Sequence, residues 1–301
     1  MNVLQIEGLS KNYGKIRALN GLNLTIESGQ VMGLLGPNGS GKTTTLGILL
    51  GILHADAGSY RWFEGQYPEN EARKKIGAIL ETPNFYPYLN ADDNLDIYRK
   101  IKGAPPQSFD DILRQVNLIE RRKSPFSSYS LGMKQRLAVA ATLIGDPDIL
   151  IFDEPTNGLD PNGIAEMRQI IQDIASQGKT VLMASHILDE VEKICSHVTI
   201  LQKGKLLASG PIGHILTENS FILLNSENND RLITLLHDKK GVLNITKKDN
   251  MIMLEVDKNL SAQAVNRLAA DGGIWLSYLE ERKNTLEEEF IEITQPHHSF
   301  N

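Results

Sequence analysis

A glycine-rich segment at residues 36–43 carries the clearest chemical signal in the sequence. It fits the pattern G-x-x-x-x-G-K-[ST], with Lys42 and Thr43 at its end. Glycines let backbone N–H groups turn inward around an anion, and the lysine adds a positive charge for the outer phosphates. The threonine hydroxyl is a hard oxygen ligand that suits Mg²⁺. The segment therefore predicts a nucleotide phosphate site, made of Gly36, Pro37, Asn38, Gly39, Ser40, Gly41, Lys42, Thr43 and Thr44.

Two carboxylates, Asp153 and Glu154, follow the apolar run at residues 149–152. Such a run predicts a buried strand, and ligands of open α/β sheets bind at the carboxyl ends of the strands. Asp153 is suited to hold Mg²⁺ directly or through water, and Glu154 is suited to orient or deprotonate an attacking water. The pair therefore predicts a magnesium contact and a general base beside the phosphate site.

Two further side chains have an ordinary explanation beside a functional one. His186 follows the apolar run at residues 180–184, where it can hydrogen-bond a γ-phosphate, whereas its position alone favours a helix-start residue. Tyr13 lies between the first two predicted strands. Its ring can stack on a purine base, whereas its position alone favours a half-buried loop tyrosine.

Two predicted helices begin at residues of the N-cap type. Ser130 precedes a helix pattern that runs to Leu143, and Asp160 precedes another with Pro161 at its first position. On their own, both serine and aspartate predict ordinary helix starts.

The loop at residues 82–95 is rich in proline and aromatic side chains. It predicts either a packed surface loop or a contact with a partner through Phe85, Tyr86 and Tyr88. Amphipathic segments follow, so residues 91–121 predict an all-helical insertion.

The remaining hydrophobic pattern predicts an α/β fold that positions these side chains. Short apolar runs predict buried strands, and alternating runs predict antiparallel strands on both sides of the phosphate-loop unit. The predicted buried strands are residues 31–35, 76–80, 149–152 and 180–184, and the alternating ones are residues 3–7, 21–27 and 58–63.

The pattern changes near Gly210-Pro211. Residues 220–279 show the order βαββαβ, which predicts a small α+β domain of the ferredoxin-like type. An acidic helical segment follows, and it predicts a solvated face. We expect two domains, residues 1–215 and residues 216–301.

Composition excludes several classes of protein. The net charge is −6, so a generally basic surface for nucleic acid is absent. The single cysteine excludes a disulfide within the chain and fits a reducing compartment. No apolar run approaches the ~18–20 residues of a membrane span, and the N-terminus lacks a signal-peptide pattern. These features predict a soluble, cytoplasmic protein.

Taken together, these stretches resemble the ATP-binding subunit of ABC transporters over residues 1 to about 215. The resemblance implies a P-loop NTPase cassette with a mixed sheet, an antiparallel β subdomain and a helical subdomain at about residues 82–145. It makes residues 36–43 the Walker A loop, Asp153 the Walker B aspartate and Glu154 the catalytic glutamate.

The same resemblance assigns roles to the remaining candidates. His186 matches the family's switch histidine, and Tyr13 falls where the family stacks adenine. Residues 157–160 match the D-loop, which ends at Asp160. The implied ligands are ATP and Mg²⁺.

Two motifs depart from the family's usual form. The signature, usually L-S-G-G-Q, is Y-S-L-G-M here: Ser130 and Gly132 are kept, and Leu131 and Met133 replace the first glycine and the glutamine. Glu81 replaces the Q-loop glutamine, where a carboxylate can still accept from water or approach Mg²⁺ but adds negative charge beside the phosphates. Both departures resemble the bacitracin- and lantibiotic-exporter branch of the family, as does the length of the C-terminal extension.

The resemblance also implies a mechanism and partners. Two copies close head to tail around two ATP·Mg²⁺, each site using the opposite copy's signature, and hydrolysis lets the dimer open. An integral-membrane permease subunit docks a short helix near the Q-loop. The chain then pairs with a second copy of itself, as a homodimer, or with a related ATPase subunit. It is peripheral on the inner face of the cell membrane and drives export of a peptide antibiotic or a similar amphiphile.

The main alternative is a soluble ABC ATPase that acts on ribosomes or nucleic acid. Ribosome-acting relatives usually carry two cassettes, whereas this chain has one phosphate loop, and DNA-repair relatives carry long coiled coils that are absent here. A third possibility is a regulatory ATPase that senses ATP through its C-terminal domain. A guanine-reading pattern at residues 246–249 lies outside the cassette, so GTP selectivity is not expected.

Overall fold

The computed structural model describes residues 1–80, 84–215, 220–248, 251–257 and 259–283, together with 286, 287, 290 and 294. Glu81 lies outside the described residues, as does most of the predicted C-terminal helix. The contacts divide the chain into two compact units, Met1–Pro211 and Ile212–Asn301.

The first unit contains nine strands and seven α-helices among its described residues, with three short 3₁₀ turns at Phe63–Gly65, Ile119–Arg121 and Phe126–Ser128. The strands are β1 (Asn2–Tyr13), β2 (Ile16–Glu27), β3 (Val31–Leu35), β4 (Ala57–Trp62), β5 (Ile76–Ile79), β6 (Ile149–Asp153), β7 (Thr180–Ser185), β8 (His197–Gln202) and β9 (Lys205–Pro211). The helices are α1 (Lys42–Leu49), α2 (Glu69–Lys74), α3 (Ala91–Lys102), α4 (Asp110–Gln115), α5 (Leu131–Thr142), α6 (Pro161–Ser176) and α7 (Leu188–Ile194).

A six-stranded sheet in the order β5-β6-β7-β3-β8-β9 forms the centre of this unit. Its first five strands are parallel, and β9 is antiparallel to β8. Every residue of β3 and β6 is buried, which explains why their sequences are continuous apolar runs. The order places the carboxyl ends of β6, β7 and β3 side by side at one edge.

A second sheet, antiparallel and in the order β2-β1-β4, supplies the other side of the core. Both β1 and β2 are longer than the predicted strands, because register shifts let the chain pass Gly8 and Gly21 without leaving the sheet. Tyr13 is therefore the last residue of β1, where it pairs with Ile16, and not a loop residue.

The helical insertion predicted at residues 91–121 is confirmed as α3, α4 and a 3₁₀ turn. The predicted N-caps are also confirmed. The Ser130 hydroxyl accepts the N–H of Met133 at the start of α5, and the Asp160 carboxylate accepts the N–H of Gly163 at the start of α6. Among the described residues, no helix is both long enough and apolar enough to span a lipid bilayer.

The second unit has its own sheet and core. Its elements are α8 (Ile212–Ile215), β10 (Ser220–Ser226), α9 (Asn229–Leu236), β11 (Val242–Lys248), β12 (Met251–Val256), α10 (Ala262–Asp271) and β13 (Leu276–Lys283). The sheet is antiparallel with the order β11-β12-β10-β13. The last strand begins at Leu276, and Trp275 before it is 80% exposed.

Candidate functional site

The phosphate loop connects the end of β3 to the start of α1, and it is shaped by glycines. Gly41 has φ +111°, and a Cβ there would lie 2.6 Å from the carbonyl oxygen of Ala18. A Cβ at Gly36 would lie 2.3 Å from the carbonyl oxygen of Leu201. Neither position has room for a side chain, so only glycine fits there. Without side chains at these positions, the backbone N–H groups of the loop can turn toward a ligand.

The Lys42 side chain is 6% exposed and folds back over this loop. Its Nζ donates to the carbonyl oxygen of Gly36 at 2.7 Å and to that of Pro37 at 3.5 Å. The same ammonium lies 3.4 Å from Oε1 of Glu154. Neighbouring Ser40 is buried, and its hydroxyl oxygen has no hydrogen-bond partner within the described part of the chain. A buried charge and a hydroxyl without a partner thus belong to the loop where phosphate is expected to bind.

Thr43 and Asp153 meet at the edge of the sheet. The Thr43 hydroxyl donates to Oδ2 of Asp153 at 2.9 Å, and Asp153 is the buried last residue of β6. A hydroxyl and a carboxylate are the hard oxygens that Mg²⁺ takes, and this ion usually completes its shell with phosphate and water. Within the residues described, no group of three or more His, Cys, Asp or Glu could hold a metal ion without such help. The donor set therefore fits Mg²⁺ together with a nucleotide.

Glu154 connects two strand ends. Its Oε2 lies 2.8 Å from Nδ1 of His186, which follows β7, while its Oε1 faces Lys42. The residue has φ +50°, a left-handed conformation that is uncommon outside glycine, and its N–H donates to the carbonyl oxygen of Ala184. The Glu154 side chain is 21% exposed and that of His186 is 40% exposed, so the pair opens to solvent. This places a carboxylate and an imidazole where a water could approach.

Tyr13 lies at the tip of the hairpin formed by β1 and β2. Strand β2 is joined to the phosphate loop through Gly204. The N–H of Asn20 in β2 donates to the carbonyl oxygen of Gly204, and the N–H of Gly204 donates to the carbonyl oxygen of Ser40 in the loop. The Tyr13 ring is 46% exposed, with Nζ of Lys11 5.7 Å from its centroid. An accessible aromatic face therefore lies on a hairpin that packs beside the loop. Thr44 is half-buried in the first turn of α1, and Pro37, Asn38 and Gly39 are exposed in the loop.

The signature residues are not brought to the phosphate loop of their own chain. No hydrogen bond or ion pair of the described residues joins Ser130, Gly132 or Asp160 to it. Instead, Leu131 lies against the D-loop: a Cβ at Gly158 would be 3.2 Å from its Cδ2. Ser130 is exposed, and Leu131 is 43% exposed, whereas Gly132 and Met133 are half-buried.

Phe85 corrects the prediction for the aromatic loop. It is only 7% exposed, and its ring packs 5.1 Å from the ring centroids of both Tyr98 and Phe126. It is a core residue of the helical insertion and does not offer its ring to a partner here. Tyr86 and Tyr88 are 49% and 73% exposed, so they remain accessible.

A cavity of about 270 Å³ adjoins this loop, between strand β5 and helices α3 and α5. Phe85, Tyr98 and the 79% exposed Ile101 contribute apolar surface, and Lys102 contributes an amine. The sequence pattern did not single out this groove, because its lining comes from three separate segments, within residues 77–85, 98–102 and 138–142.

Thr156 and Glu190 form a buried pair that the sequence analysis missed. The Thr156 hydroxyl donates to the Glu190 carboxylate, and both residues are 2% exposed. A signal was available: Glu190 lies three residues after Ile187 and four before Ile194, on the apolar face of α7. An acidic residue on such a face is unusual enough to mark.

Residues 19–157 of the chain match the family model described as ABC transporter. The chain is 34% identical to a bacitracin transport ATP-binding protein, BcrA of Bacillus licheniformis, covering 97% of both chains. It is 42% identical to a lantibiotic transport ATP-binding protein, SrtF of Streptococcus pyogenes, over 68% of this chain and 89% of that one. Among solved structures, cbiO1 from Clostridium perfringens, described as part of the ABC transporter complex cbiONQ, has a TM-score of 0.64 at 27% identity. The likeness covers 71% of this chain and 90% of that one.

Proposed function

The chain belongs to the ABC transporter family as an ATP-hydrolysing, ATP-binding subunit, and we propose that Glu154 and His186 carry out the hydrolysis step. The observation that carries this proposal is the line of contacts Lys42–Glu154–His186, which joins the phosphate loop to the ends of β6 and β7. The three charged or polar groups come from distant parts of the chain. They converge where a γ-phosphate and its attacking water would lie.

Binding of ATP changes the partners of Lys42. In this structure, its ammonium contacts two backbone carbonyl oxygens and the carboxylate of Glu154. Phosphate oxygens can replace all three of these partners. Once Lys42 turns to the phosphates, Glu154 is free to accept a hydrogen bond from water and to take its proton. His186 holds the other carboxylate oxygen through Nδ1, so it fixes the direction of Glu154. A ring that also carries a proton on Nε2 would donate it to the γ-phosphate.

Thr43 and Asp153 would hold Mg²⁺, which supplies positive charge to the β- and γ-phosphates during transfer. Their oxygens already lie 2.9 Å apart, and both belong to elements fixed by the sheet. The Tyr13 ring would stack on adenine. Glu81, outside the described residues, would lie near the ion and the water, as the Q-loop residue of the family does.

We propose that the signature and D-loop act on a second copy of the chain. Ser130, Leu131, Gly132 and Met133, with Asp160, would complete the site of the opposite protomer. This agrees with the exposure of Ser130 and Leu131 and with their lack of contact to their own phosphate loop. The γ-phosphate would then bridge two protomers, and its hydrolysis would release them.

The partner that uses this motion would be an integral-membrane permease subunit. Tyr86 and Tyr88 follow Phe85, which lines the groove formed by β5, α3 and α5, and their exposed rings suit a partner contact. The chain would then be peripheral on the inner face of the cell membrane. The names of its relatives support export of a peptide antibiotic or a similar amphiphile.

Residues 216–301 would form an accessory domain of the ferredoxin-like type. Support comes from the order β10, α9, β11, β12, α10, β13 along the chain and from the antiparallel sheet order. No residue of this unit is needed for the hydrolysis step described above.

Substitution Glu154→Gln tests the roles in hydrolysis. The variant keeps the shape of the side chain but cannot take a proton, so we expect ATP binding to persist while steady-state turnover falls at least about 100-fold. Size-exclusion chromatography with ATP should show an accumulated dimer. Glu120→Gln, at an exposed glutamate of the helical insertion, is the matched control. Unchanged hydrolysis in Glu154→Gln would remove this residue from its role.

A pull-down from detergent-solubilised membranes tests the partner. We expect the tagged chain to capture a polytopic membrane protein, and the double variant Tyr86→Ala, Tyr88→Ala to lose it while still hydrolysing ATP. Capture of ribosomal proteins without a membrane protein would contradict the transporter partner.

A further inference from the structure

The Thr156–Glu190 pair lies close in the sequence to the residues proposed to hydrolyse ATP. Thr156 comes two residues after Glu154, and Glu190 comes four residues after His186. Thr156 and Glu190 are also more deeply buried than Glu154 and His186, whose side chains are 21% and 40% exposed. The Thr156–Glu190 and Glu154–His186 contacts connect the same two chain segments.

Burial of this carboxyl is unfavourable for folding. Desolvation raises the pKa of Glu190, because the charged form loses its water. Its Oε1 has no hydrogen-bond partner among the described residues, and neither has Nε of Arg168 in α6, whose charge acts on Glu190 in the opposite direction. A leucine would fill the same apolar face at lower cost. A glutamate at this position therefore points to a use other than stability.

The segment between Glu154 and α6 has a special need for support. Glu154 adopts a left-handed backbone conformation, which persists only where the surroundings over-determine it. The next residues lead through the D-loop to the cap at Asp160. Glu190 contacts Thr156 at the start of this segment and acts electrostatically on Arg168 in the helix after it.

We propose that Glu190 is a positioning residue for ATP hydrolysis. Through Thr156, it fixes the segment that begins at Glu154 against α7, the helix that follows His186. The carboxylate of Glu154 and the ring of His186 then keep their 2.8 Å separation when Lys42 turns to the nucleotide. This inference rests on the roles proposed above for Glu154 and His186.

The test compares Thr156→Val and Glu190→Ala with their conservative counterparts Thr156→Ser and Glu190→Gln. We expect the first two variants to lower kcat by about 10- to 100-fold, because small displacements of a catalytic group have effects of this size. The KM for ATP should change by less than about threefold, since neither residue touches the phosphate loop. Thr156→Ser and Glu190→Gln keep a hydroxyl and an acceptor, so both should restore most of the rate.

A matched control separates positioning from general destabilisation. Thr199 is also a buried threonine, 0% exposed in β8, and its hydroxyl bonds to Ser209 away from the site. Thr199→Val should lower thermal stability as Thr156→Val does, but leave kcat unchanged. The double variant Thr156→Val, Glu190→Ala should have a kcat no lower than that of the slower single variant, because both substitutions remove the same contact.

Three results would overturn the inference: wild-type kcat in Thr156→Val, an equal loss of kcat in Thr199→Val, or no recovery in Thr156→Ser. Should Glu190→Ala fail to fold, the threonine series still decides. Glu154→Gln is measured in the same assay. If it loses turnover while Thr156→Val does not, only the positioning role fails; if it keeps turnover, the proposed hydrolysis mechanism fails first.

Discussion

At the scale of single residues, Lys102 is an amine placed where solvent is scarce. It ends α3, lines the groove beside β5, and its Nζ donates to the carbonyl oxygen of Ile144 at 2.8 Å. Burial lowers the pKa of this lysine from 10.5 to about 8, because the ammonium loses hydration. The folded chain therefore holds the proton of Lys102 less tightly than the unfolded chain does.

We expect this difference to make stability depend on pH in the alkaline range. Between pH 8 and pH 10.5 the unfolded chain binds more protons at this position, so the free energy of unfolding rises with pH. The side chain is partly exposed, which reduces the effect to about 1 kcal/mol between pH 7.5 and 9.5. Urea unfolding of the wild type and of Lys102→Met at both pH values measures it.

Lys102→Met should lack this rise, since methionine does not titrate. Lys100→Met, at an exposed lysine of the same helix, should behave like the wild type. A difference between wild type and Lys102→Met that stays constant with pH would show that the amine is not perturbed.

Residues whose chemistry depends on local sequence were predictable, and those that depend on distant packing were not. The phosphate loop, Asp153 and Glu154 follow from glycine spacing and from the ends of apolar runs. The contact between Glu154 and His186 follows once β6 and β7 are neighbours, which the sequence alone does not state. The place of Glu190 on the apolar face of α7 is visible locally, but its contact with Thr156, 34 residues away, has no local pattern.

At the scale of elements, caps and buried strands were predicted well because their causes are local. Ser130 and Asp160 each satisfy an N–H of the first helical turn, as their residue types favour. The hairpin of β1 and β2 was predicted too short, because glycines that usually end strands are accommodated here by shifts in register. Phe85 was misassigned for a similar reason: its burial depends on Tyr98 and Phe126, which belong to other elements.

The helical insertion should depend on Phe85 for its stability. Removing a ring that packs against two others leaves a cavity, so Phe85→Ala should lower the free energy of unfolding by about 3 kcal/mol. Tyr88→Ala removes a ring that is 73% exposed and should change it by less than about 0.5 kcal/mol. Chemical denaturation of both variants makes the comparison. Equal effects would show that Phe85 is not part of this core.

At the scale of the whole molecule, each of the two units has a hydrophobic core of its own among its described residues, and these two cores share no residue. One contains side chains from both sheets of the first unit, such as Leu4, Leu34 and Ile151, and the other is built on β10, β12 and two helices of the second. In the part of the chain that the structure describes, no sheet contains strands from both units. Composition alone could not show this division, since both cores are built from the same aliphatic residues, and only the break near Gly210-Pro211 marked it.

We therefore predict that the first unit folds and binds ATP without the second. A chain that ends after Ile215 keeps β9, which pairs with β8 and completes the six-stranded sheet. Its phosphate loop, Asp153, Glu154 and His186 are all retained. Its thermal midpoint should lie within about 4 °C of the corresponding transition of the full chain, a shift that corresponds to roughly 1 kcal/mol in a domain of this size.

Calorimetry of both chains and fluorescence titration with an ATP analogue measure these quantities. Since each core is buried within its own unit, the full chain should show two transitions, and the shortened chain only the one that ATP raises. The variant Leu254→Ala, in the second core, should lower the other transition and leave ATP binding intact. Two results together would contradict this prediction: the full chain shows a single transition that Leu254→Ala shifts as a whole, and the shortened chain does not bind ATP. They would mean that the nucleotide site needs the C-terminal unit to form.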